Sequence, residues 1–148
     1  MNKLNVDVIA ENLMSIHPLL YKSLTRPAKT NSNITPGGMF VLGSLKRHQT
    51  LSMSDIGKCL SMPKPHVTVI VDKLIEEGYV ERSNDVNDRR IINISLTKKG
   101  ANDFEELKLA ISENLKEKLL LLTFEEIEQL SVASKQVKDI LISILSKV

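Results

Sequence analysis

The side chains best suited to chemistry fall in two short stretches. Lys64, Pro65, His66, Thr68, Val69 and Lys73 share one stretch, with Ser61 just ahead of them, and Asp88, Arg89 and Arg90 form the other. Val67, Ile70, Val71, Leu74 and Ile75 recur at helical spacing, so they define the inner face of a helix over about 64–77. At 100° per residue, Pro65, His66, Val69, Asp72, Lys73 and Glu76 point the other way. Lys64, His66 and Thr68 carry groups that bond phosphate oxygens or base edges, and an outward valine can pack on a thymine methyl. An arginine held on a β-ribbon can enter the minor groove, where the negative potential is enhanced. Each feature also has an ordinary reading. A single exposed valine needs no explanation, and a polar loop with local ion pairs gains little from them. What decides between the readings is the set of elements that positions both stretches.

Those elements follow from periodicity and punctuation. Residues 4–28 read as a helix through Ile9, Leu13, Ile16, Leu20 and Leu24, with Pro18 expected to kink it. Thr35-Pro36 starts a second helix, with Met39, Phe40, Leu42 and Leu45 as its expected buried face. Ser52 and Asp55 open a third, short helix ending near Leu60, and Ser61-Met62-Pro63 is a tight turn before the helix at 64–77. That is a helix-turn-helix pattern. Gly78 stops the helix as a left-handed residue. Beyond it the period changes to two: strands around 79–82 and 92–96 flank the polar loop 83–90. Asp85 and Asp88 are expected to brace the arginines and the turn. A long helix follows from Thr97, and the capping box Thr123-Phe124-Glu125-Glu126 starts another that runs to the end. The fold class is mainly α, about six helices with a small β-hairpin wing. A helix-turn-helix followed by a basic hairpin favours reading of double-stranded DNA.

Composition narrows the alternatives. With 148 residues, 42% hydrophobic and 26% charged, the chain suits one soluble domain. Its 3% aromatic content requires a core of Leu, Ile and Val. The densest apolar run, Leu119 to Leu122, is far short of the ~20 residues that span a bilayer. Lys3, Asp7 and Glu11 interrupt the apolar stretch a signal peptide needs, so a cytoplasmic protein without membrane contact is expected. The net charge of +2 divides into +2 for residues 1–42, +3 for 43–100 and −3 for 101–148. The mildly basic middle permits an anionic partner. Cys59, the single cysteine, is expected to be buried and structural, and one cysteine excludes a disulfide framework. His17, His48 and His66 are scattered, so no metal site is expected. No nucleophile–base pairing or phosphate loop is visible, so no cofactor and no enzymatic activity are expected.

The run Gly78-Tyr79-Val80-Glu81-Arg82, then Asp85-Val86-Asn87-Asp88-Arg89-Arg90, then Leu96-Thr97-Lys98-Lys99-Gly100, closely resembles the MarR family of bacterial transcriptional regulators. The family pattern is "DKLxxxGxVxR", "DxxDRR" and "LTxxG", and Asp72-Lys73-Leu74 supplies its start. The resemblance implies a homodimer of winged-helix domains in which the first and last helices of each subunit intertwine. Residues 1–34 and 101–148 would then form the dimerisation part and 35–100 the winged helix-turn-helix. It places Lys64, His66, Thr68 and Lys73 against the major groove and Arg90 in the minor groove, steadied by Asp88. Many members carry an arginine where this chain has Val69. The function implied is a ligand-responsive repressor on a pseudo-palindromic operator. A winged-helix module for protein–protein interaction is the alternative. Many relatives bind small aromatic or phenolic molecules, and by position His17, Tyr21, Met39 and Phe40 could line such a pocket, with Gly37 and Gly38 opening space. Met39 and Phe40 as plain core is the competing reading.

Overall fold

A computed structural model describes residues 3–23 and 32–147. Leu24 and the rest of the first expected helix, Asn31 in the following loop, and Val148 lie outside the described residues. The elements in chain order are α1 (Lys3–Ser23), α2 (Pro36–His48), β1 (Thr50–Ser52), α3 (Met53–Leu60), α4 (Lys64–Glu76), β2 (Val80–Asn84), β3 (Ile92–Leu96), α5 (Lys98–Leu119) and α6 (Phe124–Leu145). Among the described residues, six helices and a small sheet give the winged-helix class expected from the sequence. The chain divides into two compact units, 29–110 and a second made of 1–28 with 111–148.

Unit 29–110 holds the core. Val41, Leu42, Leu45, Ile56, Val67, Val71, Ile94 are fully buried, with Leu74, Tyr79, Val80 and Phe104 closing around them. Burying one such aliphatic side chain contributes roughly 1.5–3 kcal/mol, so this cluster outweighs any surface pairing in the unit. The helix ends are set by the predicted caps. The Thr35 hydroxyl accepts from Gly38 N–H at 3.2 Å and Ser52 accepts from Asp55 N–H at 3.1 Å, each satisfying an orphan donor of a first turn. Gly78, at φ +75°, ends α4 in the left-handed region that only glycine enters without strain.

The sheet has order β1-β3-β2, all antiparallel, with β3 in the centre. Ile94 pairs with Leu51 on one side and Arg82 on the other. The strand β1 is an addition to the two strands expected from the sequence. Three residues are too few to show alternation, and their pairing with β3 is non-local.

Two further expectations are corrected in this unit. Phe40 is 61% exposed, because the buried face of α2 is Gly38, Val41, Leu42, Ser44 and Leu45. Phe40 stands one residue, or 100°, off that face. Gly37 and Gly38 do not open space: a Cβ on Gly37 would lie 3.0 Å from Ile70 Cδ1, and one on Gly38 3.3 Å from Leu74 Cδ2. These glycines instead let α2 approach α4 closely.

The unit of chain ends is built differently. α1 continues as one helix through Pro18, and α6 begins with the full Thr123–Glu126 capping box. No side chain of α6 is buried, and Ile9 and Ile16 on α1 are exposed.

Candidate nucleic-acid interface

The helix-turn-helix is α3, a turn and α4. Ser61 makes the turn: at φ 50°, ψ 39° it sits in the left-handed region, and its N–H donates to the carbonyls of Gly57 and Lys58. Pro63 and Pro65 then flank Lys64, the first residue of α4. Val67, Val71 and Leu74 are buried, with Ile70 and Ile75 half-buried, so the inner face is the one read from spacing. Lys64, Pro65, His66, Val69, Asp72, Lys73 and Glu76 are exposed, and Val69 is 69% exposed. Thr68 is half-buried and its hydroxyl donates back to the Lys64 carbonyl at 3.0 Å, so in this state it is turned toward its own helix.

The wing is β2, the loop 85–91 and β3. Its turn is organised by carboxylates bonding main-chain donors. Asp85 Oδ1 accepts from Asn87 N–H at 2.9 Å and Asp88 N–H at 3.1 Å, while Asp85 Oδ2 accepts from Asn93 Nδ2 at 3.0 Å. The Asn87 amide, then the Asn93 side chain and the Asp88 amide, hold the Asp85 carboxyl below its ordinary pKa. Asp88 Oδ1 accepts from Arg90 N–H at 2.9 Å. The aspartates thus brace the turn and the arginines, as expected, and they do so through the main chain: Asp88 fixes the Arg90 amide and leaves its guanidinium available. Among the described residues, Lys64, Lys73, Arg89 and Arg90 have no ion-pair partner. Val86, at the loop tip, is 98% exposed.

Between α3, the start of α4 and the wing lies a cleft of about 920 Å³. Lys58, Lys64 and Arg90 line it with Ser54, Ser61 and the apolar Ile91. Asp55 and Asp85 also reach it, but both are engaged: Asp55 accepts from the Ser52 hydroxyl at 2.7 Å and from Lys58 Nζ at 3.5 Å. The Ser52 hydroxyl is the main cause of the lowered Asp55 pKa. Lys58 and Ser54 are not singled out by the sequence, because the stripe Met53, Ile56 and Leu60 marks the inward face of α3 and says nothing of which outward residues meet the wing.

The root of the wing is tied down by the "LTxxG" run. Thr97 Oγ1 donates to the Gly78 carbonyl at 2.6 Å and accepts from Gly100 N–H at 3.0 Å. Lys99 Nζ donates to the Glu77 carbonyl at 2.5 Å and stands 4.2 Å from the centre of the Tyr79 ring. Gly100 is buried against the Tyr79 main chain, where a Cβ would lie 1.9 Å from the carbonyl oxygen. Across the other side of the wing, the Arg82 guanidinium on β2 donates to Asp72 Oδ1 on α4.

The remaining sequence candidates are placed as follows. Cys59 is exposed on α3, correcting its expected burial, since the buried residue of that helix is Ile56. His17 and Tyr21 are exposed on α1 and belong to the other unit; Met39 is half-buried and packs against the core. No group of His, Cys, Asp and Glu suited to a metal ion occurs among the described residues. No described helix is long and apolar enough to cross a membrane.

A helix-turn-helix with an outward polar face, beside a hairpin bearing two unpaired arginines, defines a winged-helix DNA-binding protein. The MarR family model matches residues 34–92. The chain is 32% identical over 114 residues to the HTH-type transcriptional repressor MdtR of Bacillus subtilis, covering 77% of this chain and 70% of that protein. It is 37% identical over 93 residues to the HTH-type transcriptional regulator PapX of Escherichia coli, covering 63% of this chain and 57% of that one. A crystal structure of a cysteine variant of MarR from E. coli, complexed with operator DNA, is similar at a TM-score of 0.67 and 25% identity, over 93% of this chain and 99% of that one. The chain belongs to the MarR family and is a DNA-binding transcriptional regulator.

Proposed function

We propose that the protein acts in the cytoplasm as a homodimeric repressor that binds a pseudo-palindromic duplex. Each subunit inserts α4 into a major groove, with Lys64, Pro65, His66, Val69 and Lys73 toward the bases and phosphates. Thr68 joins them when its hydroxyl leaves the Lys64 carbonyl. Arg90 enters the adjacent minor groove, Arg89 contacts the backbone, and Asp88 shapes the loop that presents them. The strand that separates the two grooves must pass between the elements that enter them. The cleft lined by Ser61, Lys58 and Lys64 is the space for that strand. The observation that carries this reading is that Arg90 of the wing, without an ion-pair partner among the described residues, lines one cleft with Lys58 of α3 and Lys64 at the start of α4. Repression is supported by the likeness to the repressor MdtR, and the DNA target by the likeness to MarR with its operator.

Dimerisation through residues 1–34 and 101–148, leaving 35–100 for DNA, is supported by the apolar residues exposed on α6. Ile127, Leu130, Leu141 and Ile144 share one side of that helix at intervals of three, eleven and three. A two-fold pair would present two α4 helices to successive major grooves about one turn of DNA apart. We extend the reading to a small aromatic or phenolic effector that shifts the spacing of these helices.

The test is Arg90→Ala in a DNA-binding titration at several salt concentrations. Affinity should fall about tenfold or more, the scale of one lost charge-assisted contact, and binding of the unmodified chain should weaken steeply with salt as counterions are released. Unchanged affinity in the variant contradicts the wing assignment.

A further inference from the structure

We propose that Arg82 is a positioning residue that cancels the charge of Asp72 on the DNA-facing side of α4, an assignment that rests on the DNA-binding reading above. Asp72 is three residues from Val69, which puts the two within about 60° of each other around the helix axis. A carboxylate there stands on the face that must approach phosphates, and an uncompensated like charge opposes that approach. Arg82 removes the conflict from outside the helix. Strand alternation sets Arg82 on the same face of β2 as buried Val80, which turns it toward α4, and its guanidinium donates to Asp72 Oδ1.

Stability does not account for the pair. The two side chains are 46% and 55% exposed, and an exposed ion pair contributes little to folding. What the pair does is convert two formal charges into a local dipole and join the recognition helix to the root of the wing. Those are the two elements whose relative placement decides whether major and minor grooves are met together. Glu81, the neighbouring carboxylate on β2, alternates to the other face and does not compete for Arg82. Glu76 also lies on the outer face of α4, one turn beyond Asp72 and without an ion-pair partner among the described residues. Its place in the last turn keeps it farther from the helix start that leads into the groove.

The experiment compares the full chain with Arg82→Gln, Asp72→Asn and the double variant, by fluorescence anisotropy on a duplex selected from random sequence by the unmodified protein. Arg82→Gln should weaken binding about tenfold or more by baring Asp72. Asp72→Asn should bind as tightly as the unmodified chain or more so, with a salt dependence steeper by about one phosphate contact as Arg82 is released. The double variant should return to within about threefold of the unmodified chain, a coupling that two independent effects cannot give. A double variant as weak as Arg82→Gln overturns the proposal, because Arg82 then touches DNA itself or only supports the fold. Asp72→Asn that loses affinity, or loses preference at a C·G pair, also overturns it, since the carboxylate would then be reading a base. Thermal melts of all variants should agree within about 5 °C, and a larger loss in Arg82→Gln that the double variant does not repair points to a structural role instead. An unmodified chain that selects no duplex refutes the DNA reading as a whole, whereas selection without rescue refutes only the role of Arg82.

Discussion

The two compact units solve the problem of apolar surface in opposite ways. Between residues 41 and 107 lie all twelve buried apolar side chains found among the described residues, so unit 29–110 carries its own core. Among its described residues the unit of chain ends buries none, yet exposes Ile9, Ile16, Ile127, Leu130, Leu141 and Ile144. One unit is complete as a single chain; the other has a surface that suits a second copy. The difference separates a unit whose core closes within one chain from one whose exposed apolar side suits the second copy proposed above.

The contrast can be broken most strongly inside the self-sufficient unit. Gly100→Ala drives a methyl into the Tyr79 carbonyl, 1.9 Å from where its carbon must sit, at the junction of wing and α5. Neither backbone can yield without losing the Thr97 bonds, so chemical denaturation should show a loss of about 3 kcal/mol or more. A variant within 0.5 kcal/mol, roughly the scatter of neutral surface changes, would mean the two segments are not so closely apposed.

A substitution in the other unit should have a different signature. Ile144→Glu places a charge on the exposed apolar side of α6, so sedimentation should show dimer dissociation rising by about tenfold or more. Hydrogen exchange across 41–107 should stay as in the unmodified chain, because that core does not draw on α6. Reduced protection in both units together would show that they share one cooperative core.

Acid should produce the smallest effect, and a local one. The Asp85 carboxyl is held below the ordinary carboxylate range first by the Asn87 amide, and that of Glu126 first by the Thr123 amide. A carboxylate whose pKa is depressed in the folded state stabilises above its unfolded value, and that stabilisation is lost as pH falls through the lower folded value. NMR should therefore show the amides of Asn87, Asp88 and Thr123 shifting only below about pH 4, with the core amides of α2 unaffected. Shifts at those three positions centred near neutral pH would contradict this assignment.

Much of the fold is legible in the sequence because its punctuation is local. Thr35-Pro36, Ser52, Gly78 and the Thr123–Glu126 box each satisfy a helix end within a few residues, and they appear where expected. What escaped depends on contacts far apart in sequence or on rotation about a helix axis. The strand β1 exists only through pairing with β3, and neighbours Phe40 and Val41 differ by 100°, one exposed and one buried. At the interface, the outward face of α4 and the paired wing arginines could be read from spacing. That Asp88 bonds the Arg90 main chain could not, because an aspartate next to two arginines looks the same whichever donor it meets. Thr97 and Gly100 stood in a recognised motif, but their work as the anchor of the wing emerges only from their bonds to the chain around Gly78 and Tyr79.

The central claim is that two copies of this chain read one duplex through α4 and the wing. Sedimentation of the protein with a duplex chosen from random sequence, repeated at low and raised salt, tests it most directly. The account predicts two chains per duplex, a selected site with two-fold symmetry, and affinity that drops steeply as salt rises. One chain per duplex on an asymmetric site, or binding indifferent to salt, would contradict it.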